Sequence, residues 1–89
     1  MKALTVLKPQ VAEYQEVPKP AAVGRFMTVK VERAGICATD FSIFSGDCSF
    51  VRSGEIVYPV RFGHEWSGTV VECGNEVRGF RPGDRIYSD

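Results

Sequence analysis

The segment from Met27 to Glu32 restricts the fold most strongly, because its apolar and polar side chains alternate one by one. The apolar members are Met27, Val29 and Val31, and the polar members are Thr28, Lys30 and Glu32. A period of two residues is that of a β-strand, whose side chains point alternately to the two faces of a sheet. The segment therefore predicts a strand with one buried face and one face in water.

Four other segments have the composition of short strands, and glycine and proline separate them. They are Lys2–Leu7, Val11–Val17, Ser67–Cys73 and Arg85–Ser88. Pro9 ends the first of these and makes the second its expected partner, while Arg81-Pro82-Gly83-Asp84 has proline and glycine at the centre of a turn. Many short strands with such turns are typical of a small barrel or sandwich, so the predicted fold class is mostly β.

One short helix is predicted where the alternation stops. Ala38 or Thr39 precedes this helix, which covers Asp40 to Ser45, and Gly46 ends it. Threonine is a favourable N-cap, and glycine is common directly after the last helical residue. The residues from Asp47 to Val60 are predicted to form a long irregular stretch, and loops of this length are usually functional or mobile.

The size and charge of the chain limit its class. Its 89 residues suit one small domain, and Lys plus Arg equals Asp plus Glu, so the formal net charge is zero. Neutrality argues against nucleic-acid binding driven by electrostatics, and no apolar run approaches the ~20 residues that span a membrane. Lys8 and Pro9 interrupt the apolar start too early for a signal peptide, so the expected compartment is the cytoplasm.

The cysteines and the single histidine point to a metal. Three cysteines without a signal peptide indicate free thiols or metal ligands rather than disulfides. Cys37 alone is more often a small buried side chain, and a lone histidine such as His64 is more often structural than catalytic. Together with Glu65, they supply a thiolate, an imidazole and a carboxylate, which are suitable zinc ligands. Three protein ligands with one open position are the arrangement of a catalytic zinc.

The role of Glu65 depends on the backbone at Gly63. Neighbouring side chains in a regular strand point to opposite faces, so His64 and Glu65 both reach one metal only if Gly63 makes the backbone irregular. Glu65 is then an occasional ligand or a carboxylate hydrogen-bonded to a ligand. The alternative is a solvated glutamate on the surface.

Thr39 and Asp40 follow Cys37 closely and have two compatible interpretations. Both residue types cap helices well. A threonine hydroxyl near a zinc thiolate can also donate to, or relay a proton from, an oxygen at the metal. Asp40 can orient His64 by accepting its other ring N–H.

Three segments in this order resemble the zinc-type alcohol dehydrogenase family. The first two are Gly35-Ile36-Cys37-Ala38-Thr39-Asp40, which is similar to the Gly-x-Cys-x-Ser/Thr-Asp segment of that family, and Gly63-His64-Glu65 with Gly68, Gly74 and Val77, which matches its signature at every fixed position. The third, from Val77 to Arg85, is similar to the Phe-x-x-Gly-Asp-Arg-Val turn. Ala38 is a minor departure, because the family often has Gly or His there.

The resemblance implies a GroES-like barrel with a short helical segment, in which Cys37, His64 and sometimes Glu65 bind catalytic zinc and Thr39 passes a proton. It also implies an alcohol or polyol dehydrogenase that converts a small-molecule alcohol to a carbonyl with hydride transfer to NAD or NADP, and a homo-oligomeric full-length enzyme. The cofactor belongs in a Rossmann domain, and no Gly-x-Gly-x-x-Gly occurs in the chain. Residues 1–89 are therefore predicted to be an incomplete, truncated catalytic domain that is inactive alone.

Two other functions stay open: a GroES-like binding module without metal chemistry, and a zinc-free medium-chain reductase. Zinc-free relatives usually lack the cysteine and the His-Glu pair, so their presence here favours zinc.

Polar side chains between Asp47 and Arg61 predict a polyol or other secondary alcohol as the substrate. The segment also resembles the sorbitol and threonine dehydrogenase branches of the family. They are Ser49, Arg52, Ser53, Glu55 and Tyr58. The alternative is that these groups simply face water, as is expected of Cys48 and Arg61.

Overall fold

The computed structural model describes residues 1–88, so residue 89 of the predicted domain lies outside the described part. Within it, five strands and two short helices follow one another along the chain. They are β1 (Lys2–Lys8), β2 (Val11–Glu16), β3 (Met27–Ala34), α1 (Ala38–Ser45), α2 (Ser49–Arg52), β4 (Trp66–Cys73) and β5 (Arg85–Ser88). The mostly β fold class and the five predicted strands are confirmed. Neither helix in residues 1–88 has the length and hydropathy of a membrane span.

The chain folds as two compact units, the first of which comprises Met1–Pro18 and Ile36–Gly63. In this unit β1 and β2 form an antiparallel hairpin, as Pro9 predicts. Val6 at the centre of β1 is fully buried and forms a second, isolated bridge with Val60. The strand β1 is therefore hydrogen-bonded both to β2 and to a segment that lies more than fifty residues further along the chain.

The second unit comprises Lys19–Gly35 and the chain from His64 onward. It contains one antiparallel sheet with the strand order β3-β4-β5. Val70 on the central strand is 1% exposed and forms the core of this sheet. The predicted turn before β5 is present, because the Asp84 N–H donates to the Arg81 carbonyl at 3.1 Å.

The helix α1 begins earlier than the sequence predicts. The Asp40 carboxylate accepts the Cys37 N–H at 3.1 Å, and Cys37 is the N-cap residue. The prediction of Ala38 or Thr39 at this position is therefore wrong, and Thr39 lies inside the first turn. Gly46 ends the helix as predicted, with a left-handed φ of 84°.

The stretch from 47 to 60 is more regular than the sequence predicts. It contains α2, and Val60 at its end exchanges two backbone hydrogen bonds of 2.9 Å with Val6. Cys48, the N-cap residue of α2, is 8% exposed, so the expectation of a solvent-facing thiol is wrong.

The predicted buried face of β3 is incomplete. Met27 and Val29 are partly buried, whereas Val31 is 53% exposed. The residue opposite Val31 on β4 is Gly68, which has no side chain to cover it. Alternation therefore identified the strand correctly but could not show which of its apolar positions has a neighbour.

Candidate metal centre

Cys37 is positioned by the start of α1. Its backbone is extended, with φ of −107° and ψ of 176°, and its N–H is held by the Asp40 carboxylate. Asp40 is 2% exposed, and a hydrogen bond in such an environment is electrostatically stronger than one in water. The half-buried Cys37 thiol therefore extends from a backbone that a regular element and a buried carboxylate both fix.

His64 and Glu65 follow an irregular backbone at Gly63. The φ of Gly63 is 122°, a value that residues with a side chain rarely adopt. None of the described atoms lies within 4 Å of the place where a Cβ would be, so conformation rather than space requires glycine. At the other end of the pair, the Glu65 carbonyl accepts the Gly35 N–H at 2.7 Å.

Three side chains of metal-binding type come together. The Cys37 sulfur, a ring nitrogen of His64 and a carboxylate oxygen of Glu65 lie within 4.8 Å of one another. A tetrahedral zinc with bonds of ~2.0–2.3 Å separates its ligand atoms by about 3.3–3.8 Å, a spacing that lies inside this limit. Cys37 and Glu65 are half-buried and His64 is exposed. The donor set and its spacing therefore fit a zinc ion.

Thr39 lies on the exposed side of the first turn of α1, at the wall of a cavity of about 280 Å³. Several other residues that line this cavity carry hydroxyl, thiol or charged groups: Ser42, Asp47, Cys48, Ser49 and Arg52. Its volume is slightly below the range of about 300–1,000 Å³ that is usual for ligand sites, and Ala38 and Phe50 add apolar surface to its lining. Thr39 thus lies two residues from Cys37 and beside a small open cavity of mixed polarity.

Three of the five polar groups that the sequence assigned to substrate binding have partners within the chain. Arg52 pairs with Asp47 at 2.9 Å, and both side chains are largely exposed. The Tyr58 hydroxyl donates to the Ile43 carbonyl, and the Ser53 hydroxyl donates to a backbone carbonyl of α2 at 3.1 Å. These bonds order the loop. Within residues 1–88, no such side-chain bond is seen for the other two members of the set, Ser49 and Glu55.

One connection near the site could not be inferred from the sequence. Arg61 is exposed as predicted, but its Nε donates to the hydroxyl of Thr5 at 3.2 Å. Thr5 is 2% exposed and lies 56 residues away along the chain. No motif or periodicity links the two residues, so only the fold reveals that the segment leading to His64 is bonded to β1.

Comparison with known proteins gives a consistent result. Residues 25–89 match the family described as the alcohol dehydrogenase GroES-like domain. An L-threonine 3-dehydrogenase from Shewanella loihica is 40% identical over the whole chain, which spans 26% of that protein. The chain therefore covers about a quarter of the length of the curated relatives that it matches.

Solved structures agree in fold. The apo form of zinc dependent alcohol dehydrogenase 2 from Streptococcus pneumonia is 33% identical, with a TM-score of 0.82 over 98% of this chain and 24% of that one. A putative zinc-binding dehydrogenase from Sinorhizobium meliloti, bound to NADP, is 36% identical, with a TM-score of 0.76 over 96% of this chain and 23% of that one. The GroES-like fold expected from the motifs is confirmed.

Proposed function

We propose that this chain, which belongs to the family of alcohol dehydrogenase GroES-like domains, is the zinc-binding part of an enzyme that oxidises an alcohol to a carbonyl and transfers hydride to NAD or NADP. The observation that carries the proposal is the approach of the Cys37, His64 and Glu65 ligand atoms to within 4.8 Å. When bound, zinc supplies a Lewis acid that stabilises negative charge on a substrate oxygen. The proposal also includes a cytoplasmic location and, on the family resemblance, a homo-oligomeric full-length enzyme.

Within this proposal, Cys37 and His64 hold the ion and Glu65 completes or supports the ligand set. Cys37 is suited to a precise role, because the N-cap geometry fixes its backbone. Gly63 gives His64 and Glu65 the backbone freedom that two adjacent ligands need. Replacement of Cys37 or His64 should therefore remove metal binding.

We assign proton handling to Thr39 and orientation to Asp40. The Thr39 side chain is exposed at the wall of this cavity, where its hydroxyl can exchange a proton with a substrate hydroxyl. The Asp40 carboxylate is buried beside the backbone of Cys37, where a fixed negative group can align a histidine ring by accepting its N–H. Asp40 therefore serves both the helix and the ligand set.

The nicotinamide cofactor is proposed to bind in a separate Rossmann domain. The chain contains no Gly-x-Gly-x-x-Gly, the motif that carries the pyrophosphate of a dinucleotide. The similar structure from Sinorhizobium meliloti has bound NADP and is about four times as long as the portion that this chain matches. Residues 1–89 are thus proposed to be part of the catalytic domain of a longer enzyme.

The proposed substrate is a polyol or another secondary alcohol. The similar protein from Shewanella loihica is a threonine 3-dehydrogenase, and its name indicates oxidation at carbon 3 of L-threonine. The hydroxyl groups of Ser42 and Ser49 line the cavity beside Thr39 and suit a substrate with more than one polar group. Sites built around such hydrogen bonds reject analogues that lack the partner group.

A cobalt titration tests the zinc assignment. Cobalt(II) bound by a thiolate has a charge-transfer absorption band, so it reports whether a cysteine is a ligand. We expect the band for the unmodified chain and its loss in Cys37→Ser. Cys73→Ser is the matched control, because Cys73 is also half-buried but lies at the end of β4. A band that persists in Cys37→Ser and disappears in Cys73→Ser would overturn the assignment.

A further inference from the structure

The hairpin β1–β2 is bonded to the chain just before His64. Val6 and Val60 exchange two backbone hydrogen bonds of 2.9 Å, and Val6 is fully buried. In the neighbouring pair, the Arg61 Nε donates to the Thr5 hydroxyl at 3.2 Å. Thr5 and Val6 of β1 thus hold Val60 and Arg61, and Arg61 lies three positions before His64.

The turn of the same hairpin is bonded to the end of α1. The Gln10 N–H donates to the Phe44 carbonyl at 2.7 Å. The Pro9 ring packs so closely against Gly46 that a Cβ there would lie 2.8 Å from the Pro9 Cγ. Since α1 begins directly after Cys37, the hairpin turn and the Asp40 bond fix the two ends of one rigid helix.

A third bond joins the two held segments directly. The Tyr58 hydroxyl donates to the Ile43 carbonyl, which lies in α1. The hairpin, the helix and residues 58–61 are therefore connected pairwise, and all of these contacts lie in the unit formed by Met1–Pro18 and Ile36–Gly63. Such closed sets of contacts restrict each member more than any single bond does.

We infer that the hairpin β1–β2 is a positioning element for α1, which starts after Cys37, and for residues 58–61, which lead to His64, and that Thr5 is the positioning residue for the second of these segments. The hairpin lies outside residues 25–89, the part that matches the family. The inference rests on the proposed function, because it assumes that His64 binds the metal. Its physical basis is that metal affinity requires ligands held in place before the ion binds, and outer groups that hold ligands affect affinity measurably.

The test is cobalt(II) affinity of the full 89-residue chain with threonine variants. Thr5→Val removes the hydroxyl at nearly constant volume, and we expect it to weaken affinity about 3- to 10-fold, the equivalent of one net hydrogen bond. Thr5→Ser keeps the hydroxyl and should restore affinity to within about twofold of the unmodified chain. Thr69→Val is the matched control, because it removes a strand threonine hydroxyl that donates to Glu32 at 2.7 Å.

A second measurement needs no metal. Amide hydrogen exchange in the metal-free chain should be faster at Val60 in Thr5→Val and unchanged there in Thr69→Val. Arg61→Met removes the donor from an exposed position while keeping the length of the side chain, so it tests the same bond if Thr5→Val does not fold. It should reproduce the loss of affinity.

The outcomes separate the two proposals. If the unmodified chain binds cobalt through Cys37 and Thr5→Val and Arg61→Met bind it as tightly as Thr69→Val, the positioning role is overturned while the metal centre stands. If cobalt binding is independent of Cys37 and His64, the proposed function fails and the inference fails with it.

Discussion

The two segments that carry the metal-ligand candidates are held in different ways. Cys37 starts a helix, and Asp40, only three residues away, fixes its backbone. His64 follows an irregular glycine, and the bonds that restrain its approach come from Thr5 and Val6, far away along the chain. Distant residues thus restrain both segments, but, among the described residues, only the start of α1 also has a local hydrogen bond of this kind, from the Cys37 N–H to Asp40. The Cys37 side and the His64 side of the site should respond differently to mutation.

Acidification should give the largest effect and should not distinguish the two sides. A cysteine binds the ion as its thiolate and a histidine as its neutral ring, so protons compete with the metal and affinity falls as the pH falls, by up to about tenfold per pH unit for each proton displaced. Cobalt titrations at several pH values, with the released protons counted by a dye, measure this slope. An affinity that does not change with pH would mean that neither Cys37 nor His64 is a ligand.

Gly63→Ala should show the next largest effect, on the His64 side alone. A side chain at φ of 122° strains the backbone, and such strain costs about 1–3 kcal/mol. Relief of this strain should displace His64 and Glu65, so the metal affinity should fall by more than about tenfold. Loss of a group that orients a ligand has an effect of the same size. Thermal unfolding and cobalt titration measure the two quantities.

Gly79→Ala is the control for that substitution. Gly79 also has a positive φ, 84°, and open space around it, but it lies in the loop before β5. We expect lower stability with unchanged cobalt affinity. If both alanine variants lost affinity equally, the claim that the position of His64 depends on the backbone conformation of Gly63 would be wrong.

Asp40→Asn should show the smallest effect, on the Cys37 side. The amide keeps one acceptor oxygen but loses the negative charge in the first turn of α1, which weakens the helix by about 0.3–1 kcal/mol. Asp84→Asn is a close match, because its carboxylate accepts a backbone N–H three residues earlier at 3.0 Å, from Arg81. Cobalt affinity should fall in the first variant only; equal affinities in both would show that Asp40 is merely a cap.

The sequence predicted those strands and ligand candidates that local signals determine. Alternation identified β3, Pro9 separated β1 from β2, and the Cys37 and His64 motifs identified the ligand candidates. The same kind of reasoning misplaced the N-cap of α1, since several capping residues follow one another there and only the Asp40 bond decides between them.

The features that the sequence did not predict depend on contacts between residues that are not neighbours in the sequence. A threonine within β1 and an arginine 56 residues later have no pattern that joins them. Cys48 is buried at the start of α2, and the four residues of that helix are too few to give a helical period in the sequence. Val31 was expected to be buried, and it is exposed because the facing residue is Gly68. Such outcomes follow from which residues become neighbours, and that information is not local.

X-ray absorption at the zinc edge of the zinc-loaded chain tests the central claim most directly. The account predicts one sulfur at ~2.3 Å and nitrogen or oxygen neighbours at ~2.0–2.2 Å, from Cys37, His64 and Glu65. The Cys37→Ser variant should lose the sulfur contribution. A zinc ion without sulfur in its coordination shell, or with two or more sulfurs drawn from Cys48 and Cys73, would contradict the assignment.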